Sequence, residues 1–417
     1  MIFRILYSLF IYLFELALWV LTPFQLKIRK MMLGRAQSLD RIKKFRSQYA
    51  DAEVIWFHAA SVGEFEQALP VIRLLKEQKR EWKIVVSFYS PSGFEIKAKH
   101  PLLDLAFYLP SDKLWVQARI MRYLKPRNLV LVKYEFWFNL IFAASRLSVP
   151  VYSICCILKP AKVGHFLYGI LIRKTLPLIS HFFVQNIETA QLLRNLGIQS
   201  LTLNGDTRVD RVLEIKDQLV DLPWVDPWKD GHKLLIIGSA WLEDIIFLKS
   251  FLQHAVVEAH GLWRVLIVPH EIDERNLTHI THALQLPNEL FSNWEQHQNE
   301  IDILILNKTG LLSRLYRYAD AAWIGGGFKT GLHNTLEAAV FGIPVGFGPN
   351  HQKFQEALDL LEIGVARTFP EMGSVWEFFQ ESTEIESEKD RISQSAQLYF
   401  SRQQGASKSI SEALLAW

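Results

Sequence analysis

Cysteine is nearly absent: two residues in 417, Cys155 and Cys156, and they are neighbours. Such a pair builds no disulfide framework, and no CxxC knuckle offers a zinc site, so the chain reads as a protein of a reducing compartment. Excess charge of one sign is missing too. The net charge is only +3, and a nucleic-acid binder is expected to be strongly basic. The thirteen histidines are scattered, and the pair at helical spacing, His279 and His282, has no obvious third ligand nearby; no metal site is expected. There is no short internal repeat and no low-complexity tract. Apolar material, by contrast, is abundant. Half of the residues are hydrophobic, with 13 Trp and 27 Phe, which excludes a disordered chain and allows two or three domains.

The one long apolar run is Ile2–Thr22, interrupted by Arg4 and Glu15 and closed by Pro23. It has the length that crosses a bilayer. Lys27, Arg29, Lys30, Arg35, Arg41, Lys43, Lys44 and Arg46 follow, against a single acid, Asp40. Positive charge flanking a span stays in the cytoplasm, so the bulk of the chain is expected there, with the basic segment facing anionic headgroups. A cleaved signal peptide fits poorly, because the basic residues follow the apolar run and no small-x-small site closes it. A helix lying in one leaflet is the other reading, which Glu15 favours. A spanning helix would contribute nothing to the cores that follow.

Past residue 50 short apolar runs alternate with helical patterns. VIWFHAA (54–60), KIVVSFYS (83–90), LVLVKY (129–134), VPVYSIC (149–155), HFFVQN (181–186) and LTLNGD (201–206) make one series. A polar stretch with Trp and Pro, 221–232, interrupts it. KLLIIGSA (233–240), WRVLIVPH (263–270), DILILN (302–307), AAWIGGG (321–327) and IPVGFG (343–348) make another. This is βαβ alternation and implies two α/β units with parallel sheets. The expected division is 1–48 for the membrane helix and basic segment, 49–220 for the first unit, 221–232 for a linker, 233–395 for the second unit, and 396–417 for a final helix able to cross back to the first. Open α/β sheets bind ligands beyond the carboxyl ends of their strands.

Several loops there could carry chemistry. Ser61-Val62-Gly63-Glu64 is a capping-box pattern, with Ser61 at the N-cap and Glu64 at N3; the same glutamate could serve as a general base for an acceptor hydroxyl. Gly325-Gly326-Gly327, running on through Thr330 to Asn334 and Glu337, offers backbone N–H groups and a helix start to a phosphate. It is neither GxGxxG nor GxxxxGK[ST], and Asn334 and Glu337 also fit an N-cap and N3 pair. Gly238-Ser239 and Pro269-His270 lie at strand ends of the second unit, and Arg208 is a candidate cation for an anionic donor or else an ordinary surface arginine.

In this order, WFHAASVGE, YEFWFNLI, GDTRVD, GSAWLED, VPHEIDER and GGGFKTGLHNTLEAAVFGIPVGFGP resemble the 3-deoxy-D-manno-octulosonic acid (Kdo) transferases of lipopolysaccharide biosynthesis over nearly the whole chain. The resemblance implies an α/β GT-B glycosyltransferase fold, two Rossmann-like domains facing a cleft behind an N-terminal membrane helix. It implies inverting transfer of Kdo from CMP-Kdo to a lipid A precursor (lipid IVA) at the cytoplasmic face of the inner membrane. No cofactor or metal is implied, and the partners are CMP-Kdo, the lipid A precursor and an anionic membrane surface, not nucleic acid. Glu64 matches the family's base, with Ser61, Gly63 and Glu135 on the acceptor side. Arg208, Gly238, Ser239, Pro269, His270, Gly325, Gly326, Gly327, Asn334 and Glu337 match its donor side. The chain departs from the family at Phe138, where Pro is usual, at Arg208, at His270-Glu271, where Arg-His is usual, at Asn350, and at Cys155-Cys156-Ile157. The alternatives are another GT-B transferase with a nucleotide sugar and a lipid acceptor, or a catalytically silent GT-B membrane module.

Overall fold

A run such as VIWFH, buried at every position, suits a parallel strand covered on both faces. In the computed structural model, which describes residues 2–218, 221–258, 262–297, 300–329 and 331–416, fourteen strands form two sheets. The first holds β1 (Val54–His58), β2 (Lys83–Phe88), β3 (Leu105–Tyr108), β4 (Asn128–Val132), β5 (Val151–Cys156), β6 (His181–Val184) and β7 (Leu201–Leu203), in the order β3-β2-β1-β4-β5-β6-β7. The second holds β8 (Lys233–Ala240), β9 (Trp263–Pro269), β10 (Glu289–Leu290), β11 (Ile303–Ile305), β12 (Ala321–Ile324), β13 (Val345–Phe347) and β14 (Ala366–Thr368), in the order β10-β11-β9-β8-β12-β13-β14. Pairing is parallel throughout the described strands. Each order reverses once, between β1 and β4 and between β8 and β12. A reversal of this kind opens a crevice at the carboxyl ends of the two strands, so the loops after β1, β4, β8 and β12 occupy the favoured ligand positions.

The chain divides into one unit of Met1–Asp210 with Gln403–Trp417 and another of Arg211–Arg402. The stretch 221–232, expected as a linker, packs within the second unit. Val225 and Trp228 are buried, and Trp224 lies against Phe291 and Trp294 at ring-centroid distances of 4.5 and 5.9 Å. Its aromatic content outweighs its polar composition. The last helix, Ala406–Ala416, sits in the first unit, where Ile410 and Leu414 join Phe65, Ala68 and Ile72 in one core. The Asp210 carboxylate accepts the N–H groups of Gly405 and Ser407 at its start, both at 2.6 Å.

The helix Ile2–Leu21 does not stand apart from the first unit, contrary to the expectation that it adds nothing to a core. Ile11 and Leu18 are buried. The Tyr7 hydroxyl donates to Asp112 Oδ2 at 2.7 Å, Lys113 pairs with Glu15, and Phe3 meets Phe138 edge-on at 5.1 Å. Positions 3, 7, 11 and 18 fall on one side of the helix, so it lies along the unit for most of its length. On the opposite side Ile5, Leu6, Leu9, Leu13, Leu16 and Val20 are exposed. Asp112 also accepts the N–H groups of Asn139 and Leu140 at 3.0 and 2.8 Å, and burial pushes its carboxyl up to about 7. Tyr7→Phe is therefore expected to destabilise the first unit by about 1 kcal/mol, one hydrogen bond's net worth. A denaturant midpoint equal to wild type would mean that the helix is not held by this bond.

The following helix, Leu26–Gln48, explains much of the basic segment differently from the sequence reading. The Arg46 guanidinium donates to the carbonyls of Leu124, Tyr49 and Ala52 at 3.0, 2.9 and 2.9 Å. Arg35 lies over the Tyr89 ring, and Lys30 pairs with Glu95. Lys27, Arg29 and Lys44 remain exposed.

Candidate active site

The loop after β1 opens the helix Val62–Gln78. Ser61 is its N-cap, in extended conformation, and accepts the Glu64 N–H at 3.4 Å. The Glu64 carboxylate turns back to accept the Ala60 N–H at 2.5 Å. Ser61 thus caps the helix, and the Glu64 side chain reaches back one residue beyond the cap, which seats the carboxylate at the carboxyl end of β1. There Glu64 is only 7% exposed. Burial, followed by the charge of Glu135, pushes its carboxyl up to about 7, against the pull of the Ala60 N–H and of Lys133. A carboxylic acid whose ionisation falls near neutrality is suited to take a proton and to release it.

The loop after β4 supplies the neighbours. Lys133 adopts φ 63°, a left-handed conformation that costs energy outside glycine. Glu135 Oε2 accepts the Trp137 indole N–H at 2.8 Å and faces His58 Nε2 at 3.5 Å. His58 is fully buried, with Nδ1 on the Ser87 hydroxyl and carbonyl at 2.9 and 3.1 Å. Glu135→Gln is expected to move the acidic limb of the pH–rate profile to lower pH, because removing a like charge lets Glu64 ionise more easily. A limb at the wild-type position would show that Glu135 does not act on Glu64.

The end of β7 adds Asp206, whose carboxylate binds Arg208 at 2.6 Å and accepts from Gln67 at 3.2 Å. Burial drives this carboxyl upward, but Arg208 and Lys133 together bring it below the usual range. Arg208, expected on the donor side, thus sits in the first unit, with Asp206, and Lys133 influences both Asp206 and Glu64. The two cysteines lie nearby, buried, with Cys155 Sγ 3.2 Å from the Thr207 hydroxyl. Burial pushes both thiols up to about 12, so neither is a nucleophile at neutral pH.

In the second unit the loops after β8 and β12 meet on one buried carboxylate. Asp244 Oδ2 accepts the N–H groups of Trp241 and Gly326, each at 3.0 Å, and Oδ1 accepts the Trp323 indole N–H at 3.1 Å. The Gly325 N–H donates to the Gly238 carbonyl at 2.9 Å. Two N–H groups expected for a phosphate are therefore committed within the protein. The glycines serve close packing: a Cβ on Gly325 would lie 2.2 Å from the Ser239 carbonyl oxygen, and one on Gly327 2.6 Å from the Gly348 nitrogen. Thr330 of this loop lies outside the described residues.

Asn334 is not the N-cap. Its Oδ1 accepts the Leu336 N–H at 3.2 Å, an Asx-type turn, which moves the cap to Thr335 and leaves a helix of only Leu336–Ala339. Its Nδ2 donates to Glu337 Oε1 at 3.0 Å. His270, next to Pro269, stacks on Trp241 at 4.7 Å and lies 4.4 Å from His333, whose Nε2 accepts the Trp241 indole N–H at 3.0 Å. Burial depresses both imidazoles, His333 to about 4 with help from His270. They offer a ligand neutral rings and hydrogen bonds rather than positive charge. His58, Lys133, Asp206, Trp241, Asp244 and His333 were not singled out from the sequence. A histidine ending an apolar strand and an acid three residues after another strand end were the only available signs.

Two doubly wound units, each with its polar groups at its own reversal of strand order, define the GT-B architecture. The solved structures agree on the fold. UDP-GlcNAc 2-epimerase from Neisseria meningitidis superposes with a TM-score of 0.63 at 16% identity, over 88% of this chain and all of that one. MurG of Acinetobacter baumannii gives 0.56 at 13%, over 88% and 100%. Sequence comparison is more specific. The model of the family 3-deoxy-D-manno-octulosonic-acid transferase (kdotransferase) matches residues 34–211. The 3-deoxy-D-manno-octulosonic acid transferases of Aquifex aeolicus and Haemophilus influenzae are 27% and 28% identical to this chain, covering 74% of it in each case and 79% and 73% of their own lengths. The chain is thus similar to Kdo transferases over about three quarters of its length.

Proposed function

We propose that this protein transfers Kdo from CMP-Kdo to a lipid A precursor such as lipid IVA, with inversion, and with Glu64 as the base that takes the acceptor hydroxyl's proton. The observation that carries the reading is the position of Glu64: buried at the strand-order reversal of the first unit, with its ionisation raised to about 7. The acceptor binds the first unit beside Ser61, Gly63 and Glu135. The second unit takes the CMP portion between the loops after β8, β9 and β12, with His270 against the Trp241–His333 pair and with Gly238, Ser239, Asn334 and Glu337 as further contacts. Arg208 acts beside the base, through Asp206. The reaction needs no cofactor in this reading, because proton removal and leaving-group binding are both within reach of side chains.

The membrane is the source of the acceptor. Phe24, Leu26 and Trp19 are exposed at 81%, 67% and 61%, next to the exposed Lys27 and Arg29. This mixture suits an anionic bilayer surface. A helix fixed along its length by Tyr7–Asp112 and Glu15–Lys113 lies in one leaflet, because crossing would break both contacts and place Glu15 in hydrocarbon. The leaflet is the cytoplasmic one of the inner membrane. Purified protein incubated with CMP-Kdo and a tetraacylated lipid A precursor should add one or more Kdo residues by product mass. No mass gain, with another nucleotide sugar active, would overturn the assignment in favour of a different GT-B transferase.

A further inference from the structure

The first unit contains an open cavity of about 270 Å³ lined by Tyr7, Phe10, Ile11 and Phe14 of the N-terminal helix and by Tyr134, Glu135, Phe136, Trp137, Tyr168 and Leu171. We propose that this cavity holds the end of one hydrocarbon chain of the lipid acceptor, so that the N-terminal helix is a wall of the acceptor site as well as a membrane contact.

Three observations select a hydrocarbon chain. Nine of the ten lining side chains are aromatic or aliphatic, and the one charged group among them is Glu135. Tyr134 and Glu135 also lie within electrostatic reach of Glu64: after burial, the charge of Glu64 makes Tyr134 harder to ionise, and that of Glu135 does the same to Glu64. A molecule bound here therefore has its polar part at the base and its apolar part against Phe10, Phe14 and Leu171. Phe10 and Phe14 are 60% and 39% exposed, and they adjoin the apolar outer side of the helix. A chain leaving the bilayer along that side enters the cavity without passing through water. The volume lies just below the roughly 300–1,000 Å³ of small-molecule pockets, which suits one chain and excludes a whole glycolipid. The helix cannot swing away freely, because Tyr7 is bonded to Asp112 and Glu15 to Lys113; the wall is part of the fold.

This inference rests on the reading of the acceptor as a lipid, and the test separates the two. Full-length protein on vesicles of zwitterionic and anionic phospholipid is given a tetraacylated glucosamine disaccharide lipid that carries a diazirine near the end of one acyl chain. It is irradiated without donor, and the labelled residues are mapped by mass spectrometry. Labels are expected on Phe14, Tyr168 or Leu171, and an excess of the unlabelled lipid should remove them. Labels on the outer side of the helix, at Leu9, Leu13 or Leu16, report bulk lipid and should survive. Leu171→Trp, which fills the cavity, should abolish the inner labels and keep the outer ones. Phe10→Asp, at an exposed rim position that spares the core, should do the same. Labelling confined to the outer side, or inner labels indifferent to both substitutions, would overturn the proposal. Because no donor is present, inner labelling supports the cavity even in a protein that fails to transfer Kdo, and transfer without inner labelling supports the enzyme while removing the cavity.

Discussion

Glu64→Gln should lower transfer turnover by roughly 10²–10⁴, the usual worth of a positioned general base, while the fold persists. The amide oxygen of Gln still accepts the Ala60 N–H, so the start of the helix Val62–Gln78 keeps its hydrogen bond. What is lost is the ability to accept a proton. With Glu64 as the base, the ionised form is the active one, and with its carboxyl raised to about 7 the rate should climb with pH through that value. Stability should run the other way. A carboxyl that ionises at about 7 when folded and near 4.5 when unfolded holds its proton more tightly in the native state. Between those two values the unfolded chain ionises first, so stability falls as pH rises, and the loss is complete above about 7. The variant has no such loss. Its unfolding midpoint should equal or exceed that of wild type, with the gap opening from acid to neutral pH. Near-normal turnover in Glu64→Gln would leave the residue a helix cap and nothing more.

Asp244→Ala should be the more damaging change to the fold. It strips the acceptor from three buried donors, the N–H groups of Trp241 and Gly326 and the Trp323 indole. Each orphaned donor costs about 1–3 kcal/mol, so the total is a large share of a domain's roughly 5–15 kcal/mol. The second unit should melt earlier, and CMP affinity should fall with it, because the loops after β8 and β12 lose their common anchor. Asn is no remedy here. Its amide nitrogen would point at N–H groups on one side or the other, since both carboxylate oxygens are accepting. An Asp244→Asn protein with wild-type melting and wild-type CMP affinity would show that the loops hold their shape without this carboxylate.

The contrast between these two acids shows what the sequence carried. Most strands were legible as apolar runs because the interior of a parallel sheet is covered on both faces. The strands not read from the sequence are β3, β10 and β14, which are all at sheet edges. β10 has two residues and β14 only one buried position. The Ser61–Glu64 cap was readable because it is local, four residues in a row. The action of Lys133 and Glu135 on Glu64 was not, because both residues arrive from β4. Only the strand order brings them to the same end of the sheet. The glycine loop was legible as glycine-rich, but the partners of its N–H groups were not. The N–H groups of Gly325 and Gly326 point at Gly238 and Asp244, and a partner more than 80 residues away in the chain leaves no mark on local spacing.

The last helix also sets an order of events during synthesis. Asn128 of β4 reaches the Leu414 carbonyl across 286 positions of sequence, and Ile410 and Leu414 share a core with Phe65 on the helix that carries Glu64. The intervening segment Arg211–Arg402 takes roughly 10–40 s to make at about 5–20 residues per second. For that interval the nascent first unit has an apolar surface over the helix Val62–Gln78 with no cover from Ile410 and Leu414. A chain without Ala406–Ala416 keeps that surface bare and offers it to chaperones and proteases.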